Sequence, residues 1–161
     1  MRFVDERSVR AALAALSPAL QAELLAIAGA LRVLPEVALV VFEVEAEGAF
    51  DSFPVVLSTY DAHGDVHDCS LDGRSLLPGR TLLPPRDAYP LGRIDFLGAD
   101  TTPDLELVER AIVEQLLALW PRLERVRAYA GRIQVSDGGP EPSSLVSLDD
   151  GALHVVTLRW G

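Results

Sequence analysis

Residues 17–46 read SPALQAELLAIAGALRVLPEVALVVFEVEA, and the spacing of their apolar residues changes once. Up to Leu34 the stripe Leu20, Leu24, Ile27, Leu31 and Leu34 recurs every three or four positions, the period of a helix with one buried face. Ser17-Pro18 supplies a cap and a first-turn proline, and Pro35 ends the run. From Val37 the period becomes two: Val40, Phe42, Val44 and Ala46 alternate with Val41, Glu43 and Glu45, as in a strand with one wet face. A helix that hands directly to a strand makes the fold mixed rather than all-α.

Upstream, Val9, Ala12, Leu13 and Leu16 behind Asp5 or Ser8 predict a short amphipathic first helix. Downstream, 54–60 and 65–70 read as strands joined by the turn Asp61-Ala62-His63-Gly64, with a further short strand over 93–97. Thr102-Pro103 opens a second long helix with the stripe Leu105, Val108, Ile112, Leu116 and Leu119, stopped by Pro121. Strands near 124–135, 143–148 and 152–160 follow, the last two joined by Asp149-Asp150-Gly151. The expected fold is α+β: one domain over 1–161, with an antiparallel sheet of about six strands, two long helices and one short N-terminal helix.

The segments 17–70 and 102–160 have the same order of elements, which raises an internal αβββ duplication joined by the connection 71–93. PVVLSTYDAHGDVH from Pro54 aligns with PSSLVSLDDGALH from Pro142, setting Leu57 on Leu145, Asp61 on Asp149, Gly64 on Gly151 and His67 on His154. The competing explanation is turn chemistry, which places Pro, Asp and Gly in any two hairpins.

Composition removes several classes of function. The 161 residues carry a net charge of −10, which opposes nucleic-acid binding, because neutralising phosphates supplies most of that affinity, and which suits a basic protein partner or simply solubility. All fourteen basic residues are arginine, and asparagine is also missing, a bias read as that of GC-rich, bacterial coding. Without lysine there is no phosphate-loop lysine, no Schiff base and no Ser/Lys dyad. Cys69 is the one cysteine, so no internal disulfide forms, which agrees with a reducing compartment. The first residues lack a signal-peptide pattern, and the apolar run Pro18 to Leu34 is broken by Gln21, Glu23 and Arg32, so the expectation is cytoplasmic, with no membrane segment and no cofactor.

Between the segments the chain reads GRSLLP, GRTLLP and PRDAYP over 73–90, a sixfold period that sets Arg74, Arg80 and Arg86 along one edge. In polyproline II successive arginines would lie roughly 19 Å apart. One reading is a binding strip, with those arginines for an acidic group and Leu77, Leu83 and Tyr89 as apolar anchors; the other is a connection that wraps an acidic body and pairs with Glu43, Glu45, Glu47 or Asp51.

Three constellations could carry chemistry. His63, Asp65, His67 and Cys69 share a face if 63–69 is extended, a donor set that suits zinc, although Gly64 marks a turn that would take His63 off that face. His67 and His154 would become equivalent under the duplication, a paired site. Glu43, Glu45 and Glu47, and Asp149-Asp150, offer paired carboxylates for acid/base work, and a solvated face has the same appearance. Two functions follow: a protein-interaction module without catalysis (an inhibitor, immunity-like factor or adaptor) engaging a basic partner or a second copy, or a small enzyme or metal/ligand-binding protein using the 63–69 strand and His154.

Overall fold

The computed structural model describes residues 2–3, 5–44, 55–66, 70–71, 74–75, 80–81, 101–102, 105–133 and 141–159. Along the chain the elements are β1 (Arg2–Phe3), α1 (Glu6–Leu31), β2 (Leu39–Val44), β3 (Val55–Tyr60), β4 (Ser70–Leu71), β5 (Arg74–Ser75), β6 (Arg80–Thr81), β7 (Thr101–Thr102), α2 (Leu105–Leu119), β8 (Arg127–Gly131), β9 (Glu141–Ser147) and β10 (Leu153–Leu158). The fold is α+β. Five full strands and the two-residue β6 form one sheet in the order β10-β9-β8-β2-β3-β6. Residues 93–97, expected as a strand, lie outside the described residues.

The sheet is mixed, not antiparallel. β2 and β8 pair in parallel at its centre, Leu39 opposite Arg127 and Phe42 opposite Ala130, while the remaining neighbours are antiparallel. Parallel neighbours need a crossover, and α2 supplies it. Its stripe reads correctly as a helix, but as the start of a second unit rather than as the bridge between two central strands; the expected cap at Thr102-Pro103 runs into residues outside those described.

The opening of the chain is one helix, not two. α1 runs unbroken from the N-cap Asp5, whose Oδ1 accepts from the Ser8 amide at 2.7 Å, and holds Pro18 in its interior. A mid-helix proline removes a donor and pushes aside the carbonyls of the preceding turn. Side chains step in: the Leu13 carbonyl accepts from the Ser17 hydroxyl at 3.3 Å and from Gln115 Nε2 of α2 at 2.6 Å, and that nitrogen also reaches Ser17 Oγ at 2.9 Å. Because a donor from α2 serves the proline turn, the two helical runs stay joined.

At 26 residues α1 is also long and apolar enough to cross a membrane by length and composition, contrary to the expectation that no run is. In this fold its stripe Val9, Leu13, Leu16, Leu20, Leu24, Ile27 and Leu31 is core. It packs with Val108, Ile112 and Leu116 of α2 on Val40, Phe42, Val44, Val55, Leu57, Ala128 and Ala130 of the sheet. Full burial of each large side chain stabilises by roughly 1.5–3 kcal/mol. Phe42 meets Trp120 edge-on with ring centroids 5.3 Å apart.

The opposite face of β2 is not wet. A second core of Val41, Tyr60, Tyr129, Ile133, Leu145 and Leu158 covers it, because β2 is a central strand of a sheet that curls. Tyr60 bridges Val66, the Arg159 amide donates to the Gly64 carbonyl at 2.8 Å, and the Val66 amide donates to the Arg159 carbonyl at 3.0 Å. These bonds link the end of β3 to the end of β10 through residues 64–66, at one side of the curled sheet. The second core fills the inside of the curl and both helices lie outside.

The strand order does not realise the duplication. From the parallel pair β2/β8, one half grows as β2-β3-β6 and the other grows the opposite way as β8-β9-β10, with both helices on one face. A motion that lays β2 on β8 while keeping strand direction and helix face is a pure translation, and it would carry β3 to the wrong side. What the segments do share is turn chemistry. Asp61 Oδ1 accepts from the amides of His63 and Asp65, Asp150 Oδ1 accepts from the amide of Ala152, and Gly64 and Gly151 have φ of 82° and 75°.

Candidate functional site

The residues singled out by sequence separate in space. His63 sits exposed in the 61–64 turn, its amide held by Asp61, while Asp65 lies in the bridge to Arg159. Gly64 does take His63 out of line. His67, Cys69, Arg86, Tyr89, Glu45, Glu47 and Asp51 lie outside the described residues. Among the described residues no group of three His, Cys, Asp or Glu side chains could hold a metal ion. Arg74 and Arg80 fall on different ladders: Arg74 pairs with Leu71 in a separate two-stranded ribbon, and Arg80 pairs with Leu57 at the edge of the main sheet.

The partner expected for His154, His67, lies outside the described residues. His154 Nε2 lies 3.0 Å from Asp150 Oδ2, and its ring meets Tyr129 edge-on at 5.8 Å. The Ala152 amide above all holds the Asp150 carboxyl below its ordinary range, with His154 and Ser147 adding to the effect. Ser147 Oγ accepts from the amides of Asp149 and Asp150 at 3.2 and 3.4 Å. The order is therefore serine, carboxylate, histidine. A hydrolytic triad needs the histidine in the middle, where it can take the serine proton. The group pins the β9–β10 turn.

A different site is built by β8, β9, β10 and α2. Each strand of this pair alternates between the inside of the curl and the helix side. In β9, Ser143, Leu145 and Ser147 point inward and are buried; in β10, Val156 and Leu158 pack on the inner core. The helix-side residues are then Ser144 and Val146 of β9 and Leu153 and Val155 of β10. The small Ala128 and Ala130 of β8 let α2 settle over β8, so α1 and α2 together cover β3, β2 and β8. Among the described residues neither helix packs extensively on β9 or β10.

The result is a groove of about 500 Å³ beside α2, floored by Ala130, Gly131, Ser144 and Val146 and walled by Glu106, Glu109, Arg110, Val113 and Leu117. Its outer rim is apolar and uncovered: Leu153 is 73% exposed, Val155 72% and Leu117 36%. The turn glycine Gly151 brings this rim to the helix, its Cα side lying 3.6 Å from Leu117 Cδ2 when a Cβ is placed there. An Arg132–Glu109 pair at 3.3 Å and an Arg10–Glu114 pair at 2.8 Å flank the wall. The arrangement offers a largely apolar floor with a charged margin, which is the make-up of a docking surface. Sequence reasoning missed it. The signal was β10 itself, LHVVTL, which is apolar on both faces although it is the last strand of the sheet.

Arginine has a second structural use that the sequence did not announce. Arg125 gathers the carbonyls at the end of α1, Nη1 donating to Pro35 and Val37 at 2.9 and 2.8 Å, and Nη2 to Leu31 and Leu34 at 2.8 and 2.9 Å. Leu31 closes α1 and the other three carbonyls belong to the turn that follows it; those of Leu31 and Leu34 also accept from the Leu34 and Val37 amides.

Tyr60, inside the curl, is fully buried, and that burial pushes its phenol up to about 12. No family model, curated protein or solved structure matches the chain.

Proposed function

We propose that this protein is a protein-interaction module without catalysis that works in the cytoplasm, and that its binding face is the uncovered helix side of β9 and β10. The observation that carries the reading is the pair Leu153 and Val155, both more than 70% exposed on adjacent same-face positions of one strand beside an open groove. Exposing two large apolar side chains side by side costs solubility unless a partner covers them. The acidic balance of −10 favours a basic partner, as an inhibitor, immunity-like factor or adaptor would have. The alternative, a small enzyme or metal-binding protein, draws no support from the described groups: His63 is turned away, and His154 is tied to a turn carboxylate.

The test is site-specific crosslinking in cells. A photoreactive residue at position 155 should give one discrete adduct, whereas the same residue at Leu25, exposed on the outer face of α1, should give none. Equal adduct patterns at the two positions, or none at either, would contradict the reading.

A further inference from the structure

The shape and charge of the groove specify its occupant. The lane left open is two strands wide, and strands lie about 4.8 Å apart, so its width of about 10 Å is that of one α-helix and matches the usual spacing of packed helices. α1 and α2 fill the neighbouring positions of that layer. Among the described residues no element occupies the third position.

A strand added to the edge of β10 is the competing occupant, and the curl obstructs it. The outward amide and carbonyl of Arg159 are taken by Gly64 and Val66, and Gly64 lies tight against the carbonyl of Thr157. That leaves only Leu153 and Val155 with open outward groups, too short a ladder to hold an extended segment. A second copy is opposed by charge, since each chain carries −10. The groove lining carries Glu106, Glu109 and Glu114 against Arg110 and Arg132, an excess of one acidic group, with Glu109 paired to Arg132 and Glu114 to Arg10.

We propose that the groove receives one amphipathic α-helix of a partner protein. Apolar residues at helical spacing would rest on Val146, Leu153 and Val155, and Arg or Lys on the flank would face Glu106 of α2. This inference rests on the interaction reading above and adds the partner's form and sign of charge.

An unbiased library of displayed 16-residue peptides, selected on the full chain and counter-selected on the Leu153→Asp/Val155→Asp variant, tests it. The expected clones carry apolar residues at i, i+3 or i+4, and i+7 with a net positive charge. They should lose at least tenfold in affinity for the variant and become helical on binding by circular dichroism. Groove-dependent clones that are acidic, or that alternate apolar and polar residues and bind extended, would overturn the helix inference and leave the interaction reading standing. If no clone depends on Leu153 and Val155, both fall. A self-association that the same double substitution abolishes would assign the groove to a second copy and overturn the inference.

Discussion

Gly64 lies against the backbone carbonyl of Thr157, so close that a Cβ on Gly64 would stand 2.6 Å from that oxygen, and its φ is +82°. Both conditions exclude a side chain at the point where the end of β3 is linked to the end of β10. Gly64→Ala should cost about 2–4 kcal/mol in urea unfolding, from the left-handed backbone together with a displaced β10. Gly29, on the exposed side of α1 with nothing within 4 Å of an added Cβ, is the control. Gly29→Ala should be stabilising by about 0.5–1 kcal/mol.

The proline turn of α1 depends on α2. Gln115→Ala removes the donor to the Leu13 carbonyl and should destabilise by about 1–2 kcal/mol. In a Pro18→Ala background the ring no longer displaces the preceding turn, the Ser17 amide can serve the Leu13 carbonyl, and the same change should cost less. A double-mutant cycle reads the coupling, and additive effects would show that Gln115 does not serve the proline.

Arg125 should resist conservative replacement. Its guanidinium fork reaches four carbonyls at once, a geometry that a lysine ammonium cannot copy. Arg125→Lys and Arg125→Met should both lower stability, by about 1.5–3 kcal/mol, with the loss in amide protection concentrated in the last turn of α1.

Tyr60 makes stability fall at alkaline pH. An ordinary tyrosine loses its proton near pH 10 in the unfolded chain, whereas burial holds the folded phenol to about 12. The folded state therefore keeps a proton that the unfolded state sheds, and stability drops as pH rises from 10 through 12, by about 2–3 kcal/mol in all. Tyr60→Phe should remove that pH-dependent drop. An unchanged alkaline limb would place the phenol in water.

The elements were legible where a stripe or a turn was local. α2 and the strands β2, β3, β9 and β10 follow from spacing, and the cap of α1 is Asp5, one of the two candidates. Three features were not legible, each because it is settled by residues distant in sequence. Pro18 read as a helix start, whereas the helix runs on through it, with the Leu13 carbonyl served by Ser17 and by the distant Gln115. Glu43 and Glu45 made β2 look half-exposed, whereas Val41 is buried because the sheet curls over it. The parallel pairing of β2 and β8 depends on a crossover, which strand patterns do not encode. The expected site residues fared less well, since polar residues near turns were read as chemistry: Asp61 and Asp150 serve backbone amides. The exposed apolar face of β10 was written in LHVVTL, but an edge position cannot be known before the sheet order is.

The most direct test of the docking face uses the partner identified by crosslinking at position 155, reconstituted from pure components and titrated against the native chain and the Leu153→Asp/Val155→Asp variant. Both side chains are already in water, so the variant should melt within a few degrees of the native protein. Its affinity should fall at least tenfold, because the apolar anchors of the face are replaced by charges that would be buried on binding. Equal affinity for the two proteins, with folding intact, would contradict the account.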